Sequence, residues 1–482
     1  MALPQLEESR YARRFQILFA LMFGIILTPI DGSMVNVILP TLTDVFSAQI
    51  AIAQWVPMIY LLIISSLVLF FGRLGDIWGY KKVFQCGLVV FVTGSALCGL
   101  SHSMYELIVF RALQAVGAAM LMAVPLAIIT ACFPANELGK ALGTFSVSIA
   151  AGLAIGPSFG GFIASLLGWR FTFLINVPLG IAAFFIIHRV MPEIKGQSGK
   201  YDFLGAVTAF GFLFCLLLFV NRAQGSGINV ANETLVIVSL ASGIGFFLIE
   251  RYAADPMLRL NLFRNITFTF ASISSLLNFM AQFVVIFLTP FYLHRVLHYA
   301  PNRIGLIMTA FPLAVMVAGP FSGWLSDRIG SRGLSCAGQL ICAAAMLLLS
   351  RLPASAEALD VALRLALFGA GAGVFQSPNT SAAMSSVPRP HLGVASSVLA
   401  NVRNIGMVVG IALAGVILHA VVPEAILLKE SLNASQAASF LHGTESAFRV
   451  GAEIAVVAAV TALIKGRRNV QTPSGDGIQQ EQ

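Results

Sequence analysis

Three ionisable side chains sit in stretches that otherwise carry almost no charge. Asp31 interrupts a long apolar run that begins near residue 15, Arg111 opens the run Arg111, Ala112, Leu113, Gln114, Ala115, Val116, Gly117, and Glu453 lies in the last apolar stretch. A charged group near the middle of a bilayer costs on the order of 3 kcal/mol, so each needs a reason. A carboxylate there can take up a proton on one side of a barrier and release it on the other. It can also stay protonated and hydrogen-bonded between helices, or lie close enough to a face to be hydrated. Arg111 must meet a carboxylate, a carbonyl or water, or snorkel outward from a helix end. Glu453 is a second candidate proton site, with the outer surface as its alternative position.

Other chemistries find no support. His294 and His298 have the spacing of helical metal ligands, but neither a carboxylate nor a cysteine accompanies them, so no metal is expected. A phosphate-cradling glycine loop with Lys and Ser/Thr is missing, as are a zinc-protease pattern and a nucleophile elbow. The chain therefore reads as no enzyme and as needing no cofactor, with energy drawn from a gradient. The cysteines Cys86, Cys98, Cys132, Cys215, Cys336 and Cys342 lie in apolar segments and read as small buried hydrophobes.

The elements that must hold these groups are set by composition. The 482 residues are 58% hydrophobic and 10% charged, which leaves most of the surface to face lipid. In lipid only closed barrels or helices satisfy the backbone, and the long apolar runs are those of helices. Apolar length gives about fourteen membrane-spanning helices, hence an all-α integral membrane protein. Arg10, Arg13 and Arg14 before an apolar stretch resemble a signal peptide, yet the run continues through Asn36 to Pro40 without a small-residue cleavage site and reads as the first span. The net charge of +8 sits in short loops with no basic, aromatic-interleaved patch, so nucleic acid is not an expected partner. Lys and Arg concentrate on the side that carries both termini, which places the termini in the cytoplasm.

An internal echo fixes the layout. Gly72, Asp76 and Gly79 recur as Gly323, Asp327 and Gly330, each displaced by 251 residues. The expected organisation is a cytoplasmic N-terminus (1–14), a six-helix bundle (15–190), a linker carrying two extra spans (191–266), a second six-helix bundle (267–464) and a polar, disordered cytoplasmic tail (465–482).

The turn Gly72, Arg73, Leu74, Gly75, Asp76, Ile77, Trp78, Gly79, Tyr80, Lys81, Lys82 resembles the signature loop of the major facilitator superfamily, with Ile77 and Tyr80 where that family often has Arg. The resemblance implies a gate that latches the two halves, built on Gly72, Asp76, Gly79 and Lys81 and echoed by Asp327 and Arg328, with a helix N-terminus as partner for Asp76. The segment from Ile30 to Pro40 is similar to the first-helix signature of the fourteen-span drug:proton antiporters. Arg111, Gln114 and Gly117 match the family's fourth-helix signature, which associates the Arg with proton transfer and implies electrostatic coupling to Asp31. Gly152, Gly156, Pro157, Gly160 and Gly161 resemble the antiporter motif of proton-coupled exporters; close helix packing alone would also explain them. The stretch from Trp169 to Gly180 and the run from Asp202 to Gly205 support the same branch.

The implied activity is proton-driven export of lipophilic, cationic drugs by alternating access. An exporter of an endogenous metabolite, lipid or siderophore, and a non-transporting membrane scaffold, stand as alternatives. Candidate substrate contacts are Asn36, Gln114, Asn278, Gln282, Phe283, Phe375, Gln376, Asn379, Asn401 and Arg403, each of which ordinary packing would equally explain. The expected setting is a monomer in the cell (inner) membrane, with protons, a small-molecule substrate and the bilayer as partners and room for a periplasmic adaptor in a Gram-negative host.

Overall fold

A computed structural model describes residues 13–193, 203–226, 230–252, 260–388, 392–427 and 432–464, and every regular element among them is helical. The first part of the chain forms α1 (Arg14–Ile25), α2 (Leu27–Val45), α3 (Ile50–Ala53), α4 (Trp55–Trp78), α5 (Tyr80–Gly99), α6 (Met104–Ala123), α7 (Pro125–Cys132), α8 (Ala135–Leu167), α9 (Arg170–Leu174) and α10 (Asn176–Val190). Two further helices follow, α11 (Phe203–Ser226) and α12 (Val230–Tyr252). The last part forms α13 (Ile266–Arg295), α14 (Pro301–Ile329), α15 (Ser331–Leu349), α16 (Ala358–Ser385), α17 (Leu392–Val421), α18 (Glu424–Leu427) and α19 (Ala434–Ile464).

Among the described residues, 12 stretches are long and apolar enough to cross a membrane. The expected inserted pair is where this count departs from apolar length. The apolar stretches of α11 and α12 are Val207–Leu216 and Glu233–Ile249, shorter than the other twelve. These two helices pack on each other, and α11 also contacts α4 and α17. Asp202, most of the expected N-terminal segment and the expected tail lie outside the described residues.

Four spans are made of two helical pieces, α1 with α2, α3 with α4, α6 with α7, and α9 with α10. Each interruption lies at or just before a proline, Pro29, Pro57, Pro125 or Pro178, whose missing N–H frees the carbonyl four residues back. At the first break the Thr28 hydroxyl donates to the freed Ile25 carbonyl at 3.0 Å.

The internal echo is visible in the backbone. Gly79 ends α4 at φ +102° and Gly330 ends α14 at φ +91°, a left-handed conformation that favours glycine, and α5 and α15 restart at the next residue. A Cβ on Gly79 would also run into the Glu193 carboxylate.

The glycine run of α8 serves two neighbours. Gly152, Gly156 and Gly160 lie against Pro29, Ser33 and Met34 on or beside α2, whereas Gly161 lies against the Pro301 carbonyl of α14. Reciprocally, Gly305 of α14 lies against the Pro157 carbonyl of α8. Ser158 and Thr309 share a 2.6 Å hydrogen bond in the same contact, and the Asn302 amide donates to Ser165 Oγ at 3.0 Å.

All of these bonds lie toward the membrane face opposite the Gly72–Lys82 turn. On that face His294 Nε2 meets Asp44 Oδ2 at 2.7 Å, and Arg295 donates to the Leu427 carbonyl at 2.9 Å and to Thr43 Oγ1 at 3.4 Å. Gln54 of the first helix set abuts Gly415 of the second. Toward the turn face, by contrast, α13, α16 and α17 form a separate apolar cluster around Phe268, Ala383 and Val398. Among the described residues, these hydrogen bonds and close backbone contacts between the two helix sets lie toward one face.

Candidate functional site

Five spans converge on Asp31. Gly94 of α5 and Gly117 of α6 allow backbone-to-backbone approach; a Cβ on Gly94 would stand 2.6 Å from the Gln114 backbone, and one on Gly117 would strike Phe91. That contact sets Ser95 and Cys98 of α5 beside Arg111 and Gln114 of α6. The break before Pro178 starts α10 at Asn176, which faces the same point from a fourth span. Tyr60 of α4 closes the group from below the guanidinium, its ring centroid 4.1 Å from Arg111 Cζ.

The carboxylate of Asp31 is fully engaged. Arg111 Nη1 donates to Oδ2 at 2.5 Å, while Gln114 Nε2 and Asn176 Nδ2 donate to Oδ1 at 2.9 and 2.8 Å. Gln114 links both partners, accepting from Arg111 Nη1 at 2.6 Å and sharing its amide with Ser95 Oγ at 2.6 Å. Asp31 is 1% exposed, and Arg111, Gln114, Asn176 and Ser95 are 0% exposed. Arg111 Nε and Nη2, the Tyr60 hydroxyl and Asn176 Oδ1 are buried without a protein partner. In a medium of low dielectric such a pair is strongly coupled: a proton added to Asp31 removes the charge that compensates Arg111.

Asp31 and Arg111, expected from the sequence to be coupled, and Gln114, a candidate substrate contact, are brought together. Asn176, Ser95 and Tyr60 complete the site and were not singled out; Asn176 stood within the Trp169–Gly180 stretch, and its place in an apolar run was the available signal. Asn36 lies half-buried farther along α2. Glu453 is not brought to this site. It is exposed on α19, on the same outer stripe as the exposed Val456, Val457 and Val460.

In the turn, Asp76 Oδ1 accepts from the Tyr80 hydroxyl at 2.6 Å and Oδ2 from Arg73 at 3.2 Å. Tyr80, at a position where the resembling family often has Arg, thus takes up the carboxylate, whose side-chain partners are a hydroxyl and a cation from the turn itself. Gly72 lies within the last turns of α4, and Lys81 donates to the His188 carbonyl at 2.9 Å. In the repeat, Asp327 and Arg328 are exposed, and the Arg328 guanidinium stands 4.0 Å from the Trp324 ring centroid.

The candidate substrate contacts of the second set divide by depth. Asn278, Phe375 and Asn379 are buried, with Asn379 donating to the Ala271 carbonyl at 3.0 Å. Gln282 accepts from Gln376 at 3.4 Å, linking α13 to α16. Phe283 and Asn401 are half-buried, and Arg403 is exposed. The helical histidine spacing is not realised, because α13 ends at Arg295 and His298 turns left-handed at φ +54°.

The Major Facilitator Superfamily profile matches residues 21–274 and again 271–474. The uncharacterized transporter YebQ of Escherichia coli is 35% identical over 414 residues, 84% of this chain and 90% of its own length. The riboflavin transporter RibZ of Clostridioides difficile is 32% identical, covering 83% of this chain and 87% of its own. The multidrug transporter protein MdtP of Bacillus subtilis is 28% identical, covering 86% and 77% respectively. Among solved structures, a bacterial homolog of the human lysosomal transporter Spinster, inward-facing and unoccupied, superposes with a TM-score of 0.71 over 94% of this chain and 97% of that chain, at 17% identity, a likeness of fold. The chain is a multi-pass membrane transporter for small molecules rather than an enzyme, and it belongs to the major facilitator superfamily.

Proposed function

We propose that the chain is a proton-coupled antiporter that exports lipophilic compounds by alternating access, with Asp31 as the proton carrier and Arg111 as its switchable counter-charge. The observation that carries this reading is the fully buried Asp31 carboxylate, held by Arg111, Gln114 and Asn176. Such a carboxylate accepts a proton only when its cation is released, so protonation and conformation are linked. The multidrug relatives support drug export. The charge argument for cationic cargo is weakened, because Arg111 already compensates the carboxylate that was to attract it.

Within the same proposal the chain crosses the inner membrane as a monomer with both termini in the cytoplasm. Helices α11 and α12 supply a thirteenth and fourteenth span, and the turn at Asp76 gates the cytoplasmic side. The test is uptake of a fluorescent drug into inside-out vesicles or proteoliposomes with and without a pH gradient. Uptake should require the gradient and be lost in Asp31→Asn; gradient-driven uptake that survives the substitution refutes the assignment.

A second reading, a proton-coupled exporter of an endogenous metabolite, is favoured by the 32% identity to a riboflavin transporter. Efflux measured against a panel of dyes and metabolites separates the two.

A further inference from the structure

Charge is scarce in the interior of the second helix set, and its sign is informative. Arg403 lies five residues inside the apolar span Val398–Val421 of α17, about 8 Å or roughly a quarter of the way into a hydrocarbon core of ~30 Å. Its side chain is exposed, and the ring of Phe279 on the neighbouring helix α13 stands beside it, so it lies at the seam between two helices. On a lipid-facing surface at that depth an arginine is strongly disfavoured, so a water-filled interior is the setting that accommodates it.

The surroundings are built for a planar ligand. The Arg403 guanidinium stands 5.9 Å from the ring of Phe279 on α13. Gly406, one turn farther along α17, packs on the Leu276 carbonyl and the Phe279 Cβ, so the two helices are in contact at this level. Asn278, beside Phe279, is 1% exposed and its Oδ1 has no partner; the same holds for the buried Oδ1 of Asn401, two residues before Arg403. Arg403 itself has no carboxylate partner among the described residues. The deep carboxylate across the interior, Asp31, is already neutralised by Arg111. The accessible charge in the interior is therefore positive.

We propose that the cargo is a planar aromatic molecule carrying an anionic or readily ionised acidic group, which Arg403 pairs while Phe279 lies against the ring and neighbouring amides meet its polar edge. Guanidinium groups both pair with carboxylate-like anions and stack on aromatic faces, which matches such a molecule better than a lipophilic cation. The proposal rests on the transport reading above and specifies the cargo of that same interior.

Equilibrium binding by fluorescence anisotropy on the purified full-length protein tests it without any pH gradient, using carboxyfluorescein as aromatic anion and ethidium as aromatic cation. Carboxyfluorescein should bind more tightly than ethidium. Arg403→Gln should weaken carboxyfluorescein binding by roughly tenfold or more, and Arg403→Lys by less. Ethidium preferred by the native protein, no carboxyfluorescein binding, or carboxyfluorescein binding unchanged in Arg403→Gln each overturns the proposal. Where Arg403→Gln does not elute as a folded monomer, the native preference between the two probes decides. Arg403-dependent binding combined with uptake that ignores the pH gradient would retain this inference and refute the proton coupling.

Discussion

Replacing Asp31 by Asn keeps the shape of the side chain and removes its charge. The Arg111 guanidinium, 0% exposed, then faces a neutral oxygen where it had a carboxylate at 2.5 Å. Its contacts with Gln114 Oε1 at 2.6 Å and with the Tyr60 ring at 4.1 Å exist already in the native protein and offset nothing. Removing one partner of a buried ion pair costs about 3–5 kcal/mol, whereas replacing both by neutral groups is often neutral or stabilising. Asp31→Asn should therefore destabilise the protein by about 3–5 kcal/mol, and adding Arg111→Gln should restore most of that loss. Chemical unfolding in detergent, followed by tryptophan fluorescence, measures all four corners of the cycle. A coupling within about 0.5 kcal/mol of zero would refute the idea that the two charges stabilise each other in isolation from water. Gradient-driven uptake adds a second readout: the double variant should be stable and still inactive.

Three further perturbations probe the joints. Asp44→Asn removes the anionic partner of His294, and spin labels placed at Val45 and Leu297 should report a longer, broader separation of the joined ends. Gly305→Leu drives a side chain into the Pro157 carbonyl, so it should abolish uptake while leaving membrane insertion intact, as judged by the amount of protein recovered from washed membranes. Tyr80→Phe deletes the 2.6 Å bond to Asp76; a hydrogen bond to a charged group is worth about 1.5–3 kcal/mol, and turnover should change by tenfold or more while substrate binding holds.

Charge in apolar surroundings is the most legible feature of such a sequence, which is why Asp31 and Arg111 stood out before any fold was known. The same criterion left Glu453 open between a proton site and the outer surface, because depth along a helix can be counted from sequence but the direction a side chain faces is set by neighbouring helices. Asn176 escaped notice for a related reason. Amides in spans are common packing groups, and only the break before Pro178 and the approach of α5 to α6 through Gly94 and Gly117 turn this one toward Asp31. The turn glycines were legible because a left-handed backbone requires them. Tyr80 was not legible as a partner of Asp76, since hydroxyl reach depends on how α5 restarts after Gly79. The glycines of α8 signalled close packing, but their division between α2 and α14 is a matter of helix phase that hydropathy does not record.

That division has a mechanical consequence. Pro157 and Gly161 on one helix, and Pro301 and Gly305 on the other, each place a glycine against the other's proline carbonyl, so the joint is backbone on backbone at these positions, flanked by the small hydroxyls of Ser158, Thr309 and Ser165. From Gly305 the arm of α14 runs about 36 Å to Ile329 and only about 6 Å back to Pro301. A tilt of about 10° about this point would sweep the long arm by roughly 6 Å while the short arm moves about 1 Å. On the alternating-access proposal, such a pivot would gear a shift just large enough to break a hydrogen bond at one face into the opening of a passage at the other.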